Sequence, residues 1–398
     1  MAEKIDKIYE DAIAAGLLPG ASVFAGDKDG NILYSKSFGK ASLKEGKNEP
    51  FTESTIASIA SMTKIMTSVA ALQCVEDGTL GLDKDLKPLL PDIGKQGVVT
   101  GFDDEKNDVI LEPVSTPYTL RLLLTHTSGY EYDWFNPHLT KWRASRGEAL
   151  WFGKTVEEKA ALPVFQPGTG FAYGTGYEWT GRAIERASGS TLEDFMRERI
   201  WKPLGIENDT SFWPKTKEGM KDRIADAGTL ENGPPVVHTD NFDTLVGSKD
   251  CLGGAGVNTT AKAYYTFLSA VLRRDARLLK PSSYDELFRP QLDERCEQAL
   301  NDYIALSPIH TNYLGMQVPP SVRKTWSFAG MLAKEPQEGR LVAGTALWGG
   351  FPSCAWFIDN ETGICGTAIC QVIPAMHPDI MALHERFHKA VFEQVKRK

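Results

Sequence analysis

The chain has 398 residues, of which 42% are hydrophobic and 24% charged, and its formal net charge is −8. That length suits two domains, or one domain carrying a large insertion. The acidic balance, with no massed Lys and Arg beyond the closing "VKRK", argues against nucleic acid and anionic membrane as partners.

The opening "MAEKIDKIYEDAIAAG" sets Ile5, Ile8, Tyr9, Ala12 and Ile13 at helical spacing and lacks the apolar core of a signal peptide. Next comes "GASVFAGDKDGNILYSKSFGKAS", two alternating runs around Asp29-Gly30-Asn31, which is a hairpin signal. Residues 58–78 read as an amphipathic helix, with Met62, Ile65, Met66, Val69 and Leu72 in its stripe and Gly78 as its stop. From about residue 83, "LLPDIG", "FDDEKND" and "TPYTLRLLLTHTSG" read as loops and short helices. Residues 130–165 are dense in aromatics: Tyr130, Tyr132, Trp134, Phe135, Trp142, Trp151, Phe152 and Phe165. "EWTGRAIERASGSTLEDFMRERIWKPLG" reads as two helices broken at Ser188-Gly189. In the last third "DNETG" joins two small and β-branched runs as a second hairpin, and a helix from about Pro378 to Val395 closes the chain.

Sheet signals thus sit at both ends and helices fill the middle. The expected fold is α/β (α+β): an antiparallel sheet flanked by helices, from residues 1–82 plus 205–398, with a mainly helical domain inserted at 83–204. No stretch of 18 apolar residues exists, and the six cysteines (Cys74, Cys251, Cys296, Cys354, Cys365, Cys370) form no C-x-x-C pair. The expectation is a cytoplasmic protein with reduced, structural thiols.

S-x-x-K occurs three times, at Ser37–Lys40, Ser61–Lys64 and Ser321–Lys324, and only the middle copy opens a helical pattern. There the i, i+3 spacing brings both side chains to one face. A serine at a helix start meets the positive end of the dipole, and a lysine in a poorly solvated cleft becomes a neutral base. The plain alternative is a capping serine beside a solvated lysine. Two further stretches weigh against it: "FQPGTGFAYG", which carries Tyr173, and "LWGGFPSCAWFIDNETG", where Trp348-Gly349-Gly350 enters a strand.

With "LPGASVF", "LRLLLTHTSG" and "GGAGVNTTAKAYYTFL" in the same order, the chain resembles the serine β-lactamase/penicillin-binding superfamily, in its class C and esterase branch. Through "ALQCVEDGTLGLDKDLKPLLPDI" and "GFDDEKNDVILEP" it is similar to fungal polyketide acyltransferases of the lovastatin side-chain type. The resemblance implies a β-lactamase/transpeptidase-like fold with its site between two domains. It implies Ser61 as nucleophile, Lys64 as its partner and Tyr173 as the second base or acid. It also implies an oxyanion hole at the N–H groups of Ser61 and Phe351, and Tyr132 and Trp134 near the cleft mouth.

Departures from that pattern carry information. Trp348 stands where penicillin-recognising members usually hold the lysine of K-T-G, and Tyr173-Gly174-Thr175 replaces Tyr-x-Asn. An aromatic wall without a cation suits an ester or thioester with an uncharged body. Gly349 and Gly350 allow backbone to approach the reacting carbonyl closely. The expected activity is a serine acyltransferase working through an acyl-Ser61 intermediate, with an acyl-carrier-protein or coenzyme A thioester as donor and a small-molecule alcohol or amine as acceptor. The alternative is an esterase with the same residues. Neither needs a metal or a bound cofactor.

Two rival signals remain. "HERFH", His384 to His388, fits the zinc-protease pattern H-E-x-x-H, but the stripe Ile380, His384, Phe387, Val391, Val395 reads His384 as a packed residue, with His388 exposed or structural. His126 in "THTSG" invites a triad, against a plainer role in holding a turn.

Overall fold

The computed structural model describes residues 1–245 and 247–396. The first hairpin forms where its turn chemistry lies. Strand β1 (Gly20–Asp27) and strand β2 (Ile32–Gly39) are joined through Gly30 at φ +87°, and the Asp27 carboxylate accepts from the N–H groups of Asp29 and Asn31 at 3.0 and 2.9 Å. The remaining strands of this sheet come from the far end of the chain: β3 (Lys324–Trp326), β4 (Met331–Ala333), β5 (Ala346–Gly350), β6 (Cys354–Asp359) and β7 (Ile364–Cys370). All pair antiparallel in the order β3-β4-β5-β6-β7-β1-β2, so β7 lies beside β1 in register Ala21↔Cys370. "DNETG" is the turn between β6 and β7.

Helices cover both faces. The helix Ala2–Ala14 buries Ile5, Ile8, Tyr9 and Ala12 and stacks Tyr9 on Phe38. The closing helix Pro378–Lys396 lies on the same face through Phe387 and Phe357, and Lys4 meets Glu393 at 3.0 Å between the two helices. The helix Ala261–Leu272 takes the other face, where Tyr265 stacks on Phe24.

Two local readings need correction. The helix expected from residue 58 begins at Thr63, after a 3₁₀ turn at Ala60–Met62. It is also not amphipathic: Thr63 through Cys74 are all buried, so its polar residues need internal partners. Thr67 donates to the Gly253 carbonyl at 2.6 Å, and the Gln73 amide to those of Arg199 and Leu278. The charged run at 101–113 is a hairpin, Val98–Asp103 with Asp108–Glu112, rather than loop and short helix. The Asp103 carboxylate closes its turn by accepting from Glu105 and Lys106 N–H, both at 3.1 Å. The break at Ser188-Gly189 falls as expected, between the helices Gly176–Ser188 and Leu192–Met196, with Gly189 at φ +71°. Among the described residues no helix is long and apolar enough to cross a membrane.

Candidate active site

Ser61 sits on the 3₁₀ turn, at the end of the strand Ile56–Ser58 and one residue past Ala60, whose φ is +42°. A non-glycine residue in the left-handed region is strained, and the surrounding structure must hold it there. Part of that hold comes from β5. A Cβ on Gly350 would lie 2.2 Å from the Ile59 carbonyl oxygen, so only glycine lets the strand abut the serine turn this closely. Gly350 therefore serves the approach of strand to turn and does not line the cavity, while Gly349 does.

Lys64 lies in the first turn of the helix, buried, with Nζ hydrogen-bonded to Ser61 Oγ at 3.1 Å, Tyr132 Oη at 3.2 Å and the Gly254 carbonyl at 2.8 Å. Burial pulls its pKa from the usual 10.5 down to about 7, against an upward pull from Glu178. A neutral amine has two N–H bonds and one lone pair. With its N–H groups on Tyr132 and Gly254, that lone pair faces the Ser61 hydroxyl. Tyr132 is thus buried beside the amine rather than at the cleft mouth. Trp134 stacks on it at 4.4 Å between ring centroids and carries the aromatic wall outward.

Tyr173 precedes the helix Gly176–Ser188 and is buried. Burial raises its pKa, while the hydroxyl of Ser61 and the indole of Trp348 oppose the rise. Trp348, on β5, donates from Nε1 to Tyr173 Oη at 3.1 Å. The residue standing in place of a lysine is therefore a hydrogen-bond donor to the tyrosine as well as an apolar wall. The Lys64 amine lies 4.7 Å from the Tyr173 ring centroid. Ser61 and Tyr173 line a cavity of about 530 Å³, and Lys64 is bonded to Ser61 beneath its wall. Ser61, Phe351, Tyr132, Trp134, Trp348 and Gly349 all line it. So do residues that the sequence did not single out: Asn241 to Thr244, Ile309, Tyr313, Leu314 and Met376.

His126 does hold a turn, at φ +59°, and does more. Its Nδ1 accepts from Gly174 N–H at 3.2 Å, next to Tyr173, and its ring packs 4.5 Å from the tyrosine ring. Burial, helped by the Lys64 charge, keeps it neutral. It orients Tyr173 through the backbone and has no hydrogen bond to Ser61. The "HERFH" pair is engaged elsewhere. His384 Nδ1 pairs with Tyr9 Oη at 3.0 Å and Nε2 with the Ser353 carbonyl at 2.8 Å. His388 is buried, contrary to the exposed reading: it stacks on Phe357 at 3.7 Å and accepts from Arg340 Nε at 3.4 Å. Among the described residues no group of three or more His, Cys, Asp or Glu is placed to hold a metal ion.

This geometry has relatives. The Beta-lactamase family model matches residues 5–384. The chain is 34% identical to lovastatin esterase of Penicillium rubens, over 98% of each chain. It is 34% identical to monacolin J acid methylbutanoyltransferase of Aspergillus terreus, over 98% of this chain and 95% of that one. Among solved structures, the LovD6 mutant of simvastatin synthase from Aspergillus terreus superposes with a TM-score of 0.91 at 31% identity, covering 99% of this chain and 95% of the other. The chain belongs to the β-lactamase family, in the branch that holds these fungal acyltransferases and this esterase.

Proposed function

We propose that the chain is a serine acyltransferase that moves an acyl group from a thioester or ester onto the hydroxyl or amine of a small secondary metabolite. The observation that carries the reading is the 3.1 Å contact between Ser61 Oγ and the buried amine of Lys64, on the floor of a largely apolar cavity. Lys64, drawn down to about 7, supplies a neutral base near neutral pH, while Tyr173 keeps its proton.

Ser61 Oγ attacks the acyl carbonyl and its proton passes to Lys64 Nζ. The N–H groups of Ser61 and Phe351 receive the oxyanion. The leaving thiolate or alkoxide takes a proton by way of the Tyr173 hydroxyl, which Lys64 reprotonates, and acyl-Ser61 remains. An acceptor O–H or N–H then enters on the same side and the proton transfers run in reverse. The wall of Tyr132, Trp134 and Trp348 holds the uncharged body of the substrate. Acyl-carrier-protein and coenzyme A thioesters are the donor classes that fit this chemistry, and no step calls for a metal or cofactor.

Hydrolysis is the second reading, favoured by the esterase among the relatives. The two differ only in whether water or the acceptor reaches acyl-Ser61. Intact-protein mass spectrometry with a panel of acyl thioesters tests the reading. One acyl adduct should form, vanish in Ser61→Ala, and discharge faster on added acceptor than in buffer alone. Faster discharge by water at every acceptor concentration would make the chain an esterase. An adduct that persists in Ser61→Ala would remove Ser61 from the mechanism.

A further inference from the structure

Behind Lys64, away from the cavity, lies a carboxylate that the proposed chemistry leaves unused. Glu178 is in the first turn of the helix Gly176–Ser188 and is fully buried, and neither carboxylate oxygen makes a hydrogen bond of good geometry, the nearby donors being the backbone N–H groups of Glu178 and Gly254. A buried carboxylate without well-aligned partners is costly and needs a compensating charge. Its side chain lies against Gly254: a Cβ there would fall 2.4 Å from Oε1 and 2.7 Å from Oε2. The carbonyl of the same Gly254 takes the 2.8 Å bond from Lys64 Nζ. Gly253, one residue earlier, is just as confined, since a Cβ there would meet the Tyr177 carbonyl at 2.4 Å. Gly254 thus touches both amine and carboxylate, and Gly253 lets the backbone reach that place.

Resting on the reading of Lys64 as the base, we propose that Glu178 is its counter-charge, a positioning residue that reaches no substrate but sets the pH at which the amine becomes available to Ser61. The groups around the pair are few and known. Lys64 faces the hydroxyls of Ser61 and Tyr132, the rings of Tyr173 and Tyr177, and neutral His126. Burial pushes the Glu178 carboxyl above its ordinary range, and the Lys64 charge opposes the rise, followed by its own backbone N–H, by Lys159 and by the Gly254 N–H; the Lys159 amine is bonded to the Trp151 carbonyl at 2.9 Å and answers also to Asp133, Arg143 and Asp243. The buried tyrosines stay protonated, so among the described residues the charged group that acts on Lys64 is the Glu178 carboxylate. Negative charge there favours the protonated amine, and its removal favours the neutral one.

Two measurements on the full chain test this. The first is the pH dependence of kcat/KM with p-nitrophenyl butyrate. In Glu178→Gln the acid limb should move to lower pH by about one unit, while Glu178→Asp, which keeps the charge, should leave it near the wild-type position. A limb that stays put in Glu178→Gln overturns the proposal, because a purely structural carboxylate would alter rate or stability without moving it. The second is a thermal-melting cycle at pH 7 with wild type, E178Q, K64M and K64M/E178Q, which needs no turnover. The Gln substitution should lower Tm more when Lys64 is present than in the K64M background, and equal shifts would overturn the coupling. If E178Q alone does not fold, K64M/E178Q should fold as well as K64M, and its failure would count against the pair. A coupled melting cycle in a chain whose Ser61 forms no adduct would leave the ion pair standing and remove only the catalytic reading.

Discussion

At Tyr173 a single phenol oxygen serves several neighbours. The indole N–H of Trp348 donates to it, the Ser61 hydroxyl opposes the rise that burial gives its pKa, and the Lys64 amine lies over the ring. In the proposed mechanism, a donor aimed at that oxygen would stabilise whatever negative charge gathers there while the proton is in transit. Trp348→Phe keeps the apolar wall and deletes the donor. It should lower kcat about tenfold, with KM changed much less, corresponding to about 1.4 kcal/mol for one lost charge-assisted hydrogen bond. Steady-state kinetics on one ester substrate check this, and an unchanged kcat would reduce Trp348 to wall alone. The serine and lysine were legible in the sequence because their relation is local, three residues apart on one turn. The Trp348 bond to Tyr173 spans 175 positions, and nothing in either segment announces it. Glu178 was hidden in the same way, since a Glu near a helix start reads as an ordinary first-turn acid.

The closing helix shows what periodicity captures and what it misses. Its stripe placed His384 inside, and the structure agrees: both ring nitrogens are bonded. His388 lies one turn further along, on a flank that helical spacing alone would leave to solvent. The buried Arg340 and the ring of Phe357 come across and cover it. His388→Ala should therefore destabilise the protein by about 2–4 kcal/mol, since it opens a void under Phe357 and strips Arg340 of a buried partner. Urea unfolding measures this, and a loss below about 0.5 kcal/mol, the range of an exposed site, would contradict the packing. Adding EDTA should leave the unfolding midpoint unchanged. The hairpin at 98–112 was missed for the opposite reason. Its charged turn outweighed two short strands in which only Val98 and Val99 are buried and no residue alternation marks an inner face.

Across the molecule, His126, His384 and His388 are all buried, and burial depresses the pKa of each, that of His384 to about 4. Each binds a proton less readily folded than unfolded, where the ordinary value is 6.5. Their contribution to stability is complete above about pH 6.5 and is lost as pH falls towards 4. Tm should decline across that window, and His384→Gln, which has no proton to gain there, should flatten the decline. A Tm level from pH 7 to 4 would show that the imidazoles are not held neutral. The plan of sheet at both ends and helices between was legible, because β1–β2 and β6–β7 are hairpins with strong turn residues. Where one domain yields to the other is a matter of packing, and we propose residues 82/83 and 204/205 as those boundaries. The pairing of β7 with β1 was not legible, since no turn joins them.

That pairing has a consequence in time. During synthesis Ser61 leaves the ribosome long before Gly350, which must abut its turn, and before Gln371, whose amide bonds the Ser58 carbonyl 313 positions back. Contacts of such long range form slowly, after the intervening chain has been gathered in. A nascent chain stopped before β5 would hold the serine without the strand that secures it. The serine turn should therefore be secured only after β5 has been made, so that the chemistry proposed for Ser61 waits on a strand synthesised long after the serine itself.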